Sequence, residues 1–175
     1  AAAYPLAAVL GNPVGHSRSP RLHRHWLKTY GIAGDYVALP VTEDDLREAL
    51  RLMPKLGFVG CNVTIPHKIA ALELADQTSD RAILMGAANT LTFLPDGRIY
   101  ADNTDGTGFL SNVRQGAPGW KASNGPVAVL GAGGAARAIV SALIEDGANE
   151  IHMANRTRAK AESLRQEFGS RLMVH

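Results

Sequence analysis

The stretch Val127-Ala128-Val129-Leu130-Gly131-Ala132-Gly133-Gly134-Ala135-Ala136 decides how this chain folds. Four apolar residues that read as a buried strand run straight into Gly-x-Gly-x-x-Ala, and a helix-forming run over residues 135–144 follows at once. That is the order a dinucleotide site requires. The first glycine permits the tight turn, the second lets backbone approach a pyrophosphate, and the small third position allows close packing of helix on strand. The helix N-terminus then offers unpaired N–H groups and a partial positive charge to the phosphates. An ordinary Gly-rich turn is the competing reading, and the flanking strand and helix count against it.

Residues 150–154 read as the next strand, about 20 residues past the glycines, where a site that prefers NAD carries an acidic residue for the ribose 2′-hydroxyl. This chain has Asn155-Arg156-Thr157-Arg158-Ala159-Lys160 there instead. A guanidinium pairs with phosphate through two parallel N–H bonds, so the segment favours a 2′-phosphate and the cofactor expected is NADP(H). The plainer alternative is a solvated helix start with Thr157 as its cap. Cations in a first helical turn oppose the macrodipole, however, which calls for some other benefit.

Composition bounds the rest. A hydrophobic share of 46% with 19% charged residues is that of an ordinary globular protein. A net charge of +2, from 18 Lys+Arg against 16 Asp+Glu, comes without the clustered basic face that nucleic acid demands. Cys61 is the one cysteine, which excludes an internal disulfide, and its apolar surroundings read as a buried thiol. The N-terminal alanines lack a basic segment and meet Gly11-Asn12-Pro13 early, so no signal peptide is read. No apolar run reaches membrane-spanning length. The cytoplasm is the expected location, with neither membrane nor nucleic acid as a partner.

Short apolar runs alternate with helical segments along the chain. Strands are expected over 6–10, 36–39, 58–63, 127–130 and 150–154, and helices over 20–30, 44–53, 66–76, 135–144 and 159–168. Residues 89–94 and 98–100, joined by Pro95-Asp96-Gly97, read as a hairpin, and a helix starts near Asp105 and ends before Gly116. Strand–helix alternation predicts parallel sheets in two α/β lobes divided near residues 103–125. After a last short strand over 171–174 the chain stops, with fewer strands than a nucleotide-binding sheet usually has. It therefore reads as a fragment of a longer protein.

Chemistry concentrates in the first lobe. Gly11-Asn12-Pro13-Val14-Gly15-His16-Ser17-Arg18-Ser19-Pro20 links a strand to a helix, with Ser19 as the expected cap and proline at the first helical position. Ser17 is not needed for that cap. Two hydroxyls on alternate residues at the positive end of a helix form a seat for a carboxylate. Gly60-Cys61-Asn62-Val63-Thr64-Ile65-Pro66-His67-Lys68 repeats the device, with Pro66 marking a helix start. Lys68 then falls in a first helical turn, where a cation is disfavoured by roughly 0.3–1 kcal/mol. The same field and partial burial would lower its pKa toward the range useful for proton transfer. A solvated surface lysine is the alternative. Gly86-Ala87-Ala88-Asn89-Thr90 and Asp102-Asn103-Thr104-Asp105-Gly106 add small polar groups beside glycines. Asp105 reads either as an N-cap or as a partner that holds a cleft lysine and bonds a substrate hydroxyl. Ser17, Ser19, Thr64, Lys68, Asn89 and Asp105 together suit a small polyhydroxylated acid. No cluster has metal-ligand spacing, and His16, His23, His25 and His67 read as structural or exposed.

These blocks, taken in order, closely resemble the shikimate dehydrogenases. The resemblance rests on the segments beginning at Gly11, Asn62, Gly86, Asn103, Gly131 and Asn155, and spans nearly the whole chain. It implies an N-terminal α/β shikimate-binding domain over 1–104, then a truncated Rossmann-like NADP-binding domain over 105–175. The implied reaction is the reversible NADPH-dependent reduction of 3-dehydroshikimate to shikimate, on the route to chorismate and the aromatic amino acids. By the same resemblance Ser17 and Ser19 bind the carboxylate, and Thr64, Asn89 and Asp105 bind ring hydroxyls. Lys68 is the general acid/base with Asp105 beside it. Gly131, Ala132, Gly133, Gly134 and Ala135 take the pyrophosphate. Asn155, Arg156, Thr157, Arg158 and Lys160 take the 2′-phosphate, and Asp80 lies near the cofactor. Family chains run on by roughly a hundred residues that complete the sheet and return a helix to the substrate lobe. A chain without them is expected to fold in part and to turn over poorly or not at all. A quinate/shikimate enzyme using NAD and a non-catalytic binder of hydroxy acids are the alternatives, and the assembly is expected to be a monomer or homodimer.

Overall fold

Residue pattern on the first strand shows why the chain layers as it does. In β1 (Leu6–Gly11), Ala8 and Leu10 are buried on one face and Val9 on the other, so helices must cover both sides. The computed structural model describes residues 4–133 and 135–175; Gly134, expected in the dinucleotide turn, lies outside the described residues. The chain divides into two units, Ala1–Asn103 and Thr104–His175.

The first unit runs β1, α1 (Ser19–Thr29), β2 (Asp35–Pro40), α2 (Leu46–Leu52), β3 (Phe58–Val63), α3 (Lys68–Glu73), β4 (Gln77–Thr78), α4 (Asp80–Met85), β5 (Thr90–Phe93) and β6 (Ile99–Asp102). Its sheet has six strands in the order β2-β1-β3-β5-β6-β4. β1 pairs parallel with β2 and β3, whereas β3–β5 and β5–β6 are antiparallel. The expectation of parallel sheets is thus corrected for this unit. The hairpin read from Pro95-Asp96-Gly97 turns the chain back at Gly97, whose φ of +86° suits glycine, and so makes the sheet mixed. One core packs Leu46, Leu50 and Met53 against Ala8, Leu10, Cys61 and Leu91. The other face carries Val9, Val14 and Tyr36, where α1 packs on β1 and β2.

Several helix starts differ from expectation. α1 begins at Ser19 without a side-chain cap on its N-cap residue Arg18, and it is Ser17 that accepts the Ser19 N–H at 3.3 Å. Ser17, not Ser19, therefore supplies the hydroxyl that trims this helix start. Pro66 precedes α3 by two residues, in a turn closed by His67 N–H to the Thr64 carbonyl at 2.8 Å, so the helix is shorter than the 66–76 expected. α4 and β4 are too short to show a period in sequence.

The second unit runs α5 (Asp105–Gly116), β7 (Val127–Leu130), α6 (Ala136–Glu145), β8 (Ile151–Ala154), α7 (Arg158–Phe168) and β9 (Leu172–Val174). Here the strands are parallel, in the order β7-β8-β9. Val140, Leu143, Ile151, Met153 and Leu172 form its own core. Thr104 is the N-cap residue of α5, so Asp105 sits in the first turn and is not the cap. Among the described residues no helix is long and apolar enough to cross a membrane, and no group of His, Cys, Asp or Glu is placed to hold a metal.

Candidate active site

In the first unit the expected polar residues gather where β1 and β3 end and β5 begins. The Thr64 N–H donates to the Leu10 carbonyl at 2.9 Å and the Asn12 N–H to the Ile65 carbonyl at 3.2 Å, which locks the two loops together. Gly11 allows this approach: a Cβ there would lie 2.6 Å from the Thr64 methyl. Lys68 is the first residue of α3 and half-buried, and its carbonyl accepts the Ala88 N–H at 2.8 Å. Asn89 follows directly, its N–H donating to the Asp102 carbonyl at 3.0 Å and its carbonyl accepting from Val63 at 2.9 Å. Thr64, Lys68 and Asn89 thus share one rim of the sheet, the carboxyl-end position at which open α/β sheets bind ligands. His67 is buried and donates Nε2–H to the Val41 carbonyl at 2.8 Å, a structural role as expected.

A polar chain that sequence reading missed runs from this rim to β2. The Tyr36 hydroxyl donates to Asn62 Oδ1 at 2.7 Å. Asn62 Nδ2 donates to Thr90 Oγ1 at 3.1 Å and to the Asn89 carbonyl at 3.2 Å, and Thr90 Oγ1 donates to Asn89 Oδ1 at 2.8 Å. Tyr36 is only 3% exposed, and burial pushes its phenol well above the usual range, so it stays a neutral donor. His23 of α1 stacks on its ring with centroids 4.1 Å apart, and burial holds this imidazole below its usual range. The sequence signal was Asn62 itself, a polar residue inside an otherwise apolar strand that had to find buried partners.

A second polar knot lies at the end of β6. Asp102 accepts from Arg81 Nε at 2.7 Å, Ser79 Oγ at 2.6 Å and the Asn103 N–H at 2.7 Å, with Arg81 Nη2 on its other oxygen. The Arg81 guanidinium, first among these, lowers the Asp102 carboxyl to about 2. Asn103 is buried and donates to the Ala87 carbonyl at 2.8 Å. The knot anchors the segments on either side of Asn89. Asp80 is exposed in the first turn of α4, beside Ser79, whose hydroxyl caps that helix.

In the second unit β7 is followed by Gly131, whose φ of +107° excludes most side chains and whose surroundings leave a Cβ nothing within 4 Å. Gly133 is equally open, and α6 starts from the N-cap residue Ala135. Asn155 braces this turn, accepting the Ala132 N–H on Oδ1 at 3.0 Å and donating Nδ2 to the Thr157 carbonyl at 2.7 Å. Arg156 and Lys160 are exposed, Arg158 bonds Glu162 at 3.2 Å, and Thr157 is the N-cap residue of α7 without a side-chain cap bond. Asp105, half-buried in the first turn of α5, also belongs to this unit. An open glycine turn at a helix start, with cations at the next strand's end, fits a phosphorylated dinucleotide.

Comparison with known proteins agrees with this arrangement. The shikimate dehydrogenase substrate binding domain matches residues 9–91, and the shikimate / quinate 5-dehydrogenase family matches residues 115–175. The chain belongs to the shikimate dehydrogenase family. It is 62% identical over 171 residues to the shikimate dehydrogenase (NADP(+)) of Paracoccus denitrificans, covering 98% of this chain and 61% of that protein. The Cereibacter sphaeroides shikimate dehydrogenase (NADP(+)) is 60% identical with the same coverage. The structure of Thermus thermophilus shikimate 5-dehydrogenase in complex with NADP(H) and shikimate superposes with a TM-score of 0.86 at 38% identity, over 97% of this chain and 62% of that one. The chain thus spans 61% of the length of the curated relatives it matches.

Proposed function

We propose that the protein works as an NADP-dependent shikimate dehydrogenase, interconverting 3-dehydroshikimate and shikimate in the cytoplasm as a monomer or homodimer. The observation that carries this reading is the gathering of Thr64, Lys68 and Asn89 on one sheet rim, with the loop that follows β1 locked to the Thr64 loop through Asn12 and Ile65. Residues 1–104 then form the shikimate-binding domain and 105–175 the NADP-binding domain. Ser17 and Ser19 hold the carboxylate, while Thr64, Asn89 and Asp105 hold ring hydroxyls.

Reduction of a ketone to a secondary alcohol needs a proton on oxygen as well as a hydride on carbon. NADPH, when bound, supplies that hydride and NADP+ takes it back. The Lys68 ammonium donates the proton to the carbonyl oxygen and recovers it from the hydroxyl in reverse. Asp105 orients the amine and accepts from the substrate hydroxyl. Gly131, Ala132, Gly133, Gly134 and Ala135 receive the pyrophosphate. Arg156 and Lys160 meet the 2′-phosphate, with Asn155, Thr157 and Arg158 shaping the turn that presents them and Asp80 near the cofactor.

Following NADPH formation from shikimate and NADP+ by the protein at the full length of its relatives tests the reading, with NAD+ and quinate as comparison substrates. Turnover favouring NADP+ and shikimate is expected; binding without turnover would leave only a hydroxy-acid binder. Lys68→Ala should lower kcat by on the order of 10²–10⁴ with a much smaller change in substrate affinity. Normal turnover in that variant would remove Lys68 from the mechanism.

A further inference from the structure

The backbone of Asn89 is held on both sides, but that alone does not fix which way its side-chain amide points. Its N–H donates to the Asp102 carbonyl and its own carbonyl accepts from Val63. A carboxamide can still turn end for end about its last torsion, exchanging an acceptor for two donors. Thr90, the first residue of β5, decides between the two, because its Oγ1 donates to Asn89 Oδ1 at 2.8 Å. Across the sheet Thr90 pairs with Asn62 of β3. We propose that Thr90 is a positioning residue for the substrate, its hydroxyl holding Asn89 with Oδ1 turned inward and the NH2 end offered to a ring oxygen. The inference rests on the functional reading given above and adds to it a residue that acts only through Asn89.

One fixed acceptor sets the direction of every bond in this chain. The Asn89 carbonyl can only accept, so the end of Asn62 that lies 3.2 Å from it is the NH2 group. Asn62 Oδ1 then faces Tyr36, whose phenol must donate to it, at 2.7 Å. The second Asn62 Nδ2 proton goes to Thr90 Oγ1 at 3.1 Å. Thr90 has a single hydroxyl proton, and with its oxygen already accepting, that proton goes to Asn89. Only Oδ1 can receive it. Reversing the Asn89 amide would bring a second N–H donor onto Thr90 Oγ1 and strip the hydroxyl proton of its acceptor, at the loss of one hydrogen bond. A ring oxygen that meets Asn89 is therefore called on as an acceptor, and an alcohol there keeps its own proton for another partner.

Thr90→Val keeps the shape and removes the hydroxyl, so Asn89 loses the bond that tells its two ends apart. In the protein at the full length of its relatives, the expected result is a rise of about three- to tenfold in KM for shikimate, with kcat within about twofold and KM for NADP+ unchanged. Thr90→Ser restores the hydroxyl and should bring KM back to within about twofold of wild type. In an Asn89→Ala background Thr90→Val should weaken shikimate binding by less than about twofold, read as Kd by calorimetry so that the background need not turn over. A merely structural threonine would lower Tm and weaken binding equally in both backgrounds. An unchanged KM in Thr90→Val, no recovery in Thr90→Ser, or an equal loss in both backgrounds would overturn the inference. If Thr90→Val yields no folded protein, Thr90→Ala takes its place in the same cycle and the same outcomes decide. Wild-type turnover is measured first: its absence overturns the functional reading and this inference with it, whereas active wild type with an unaffected Thr90→Val variant defeats the inference alone.

Discussion

Gly11 has no room for a side chain. A Cβ would meet the Thr64 methyl at 2.6 Å, the Ile65 carbonyl at 3.2 Å and Val14 Cβ at 3.3 Å, so the loop carrying Thr64 must give way. Gly11→Ala is expected to cost about 1–3 kcal/mol in chemical denaturation and to raise KM for shikimate through the displaced Thr64. A variant with native stability and native KM would show that the loops are not locked together. Cys61 offers a cleaner test of burial. It is 4% exposed, and desolvation pushes its thiol up to about 12. Ellman's reagent at pH 8 should therefore label it slowly in the native protein and at once after unfolding. Rapid native labelling would mean that β3 opens far more easily than its packing implies.

At the scale of elements, the Arg81–Asp102 knot joins α4 to the end of β6. The Asp102 carboxyl lies at about 2 in the folded protein against an ordinary 3.8, with the Arg81 hydrogen bond the largest cause. Because the folded value is depressed, the stabilisation is present above about pH 4 and is lost as pH falls toward 2. Asp102 is 15% exposed and Arg81 40%, so solvent screens part of the pair. Asp102→Asn is expected to cost about 1–2 kcal/mol near neutrality, with a smaller difference from wild type at pH 3. Equal losses at both pH values, measured by urea melts, would assign the effect to packing and not to charge. The β3–β5 pairing is equally demanding. A Cβ on Gly60 would fall 2.5 Å from the Leu91 carbonyl, so Gly60→Ala should weaken the sheet where it changes from parallel to antiparallel.

For the whole molecule, the separate cores of Ala1–Asn103 and Thr104–His175 set the expectation. Hydrogen exchange should show shikimate slowing amides of β1, β3 and β5, and NADP+ slowing those of β7, α6 and β8. Protection of β1 and β3 by NADP+ alone would contradict the division of labour. The sequence by itself determined the local devices: the strand–glycine turn–helix around Gly131, the Pro95-Asp96-Gly97 hairpin and the basic segment after β8. Their geometry is dictated within a few residues by φ > 0 at glycine, the turn chemistry and the apolar period. Only the tertiary structure decided that Tyr36 of β2 meets Asn62 of β3 and, through it, Asn89, the first two being residues that sequence reading left out of the site. That contact spans 26 positions and exists because β1 sits between β2 and β3. Strand order and register are settled by burial of whole faces, and no local stretch of sequence encodes which buried polar groups will then meet.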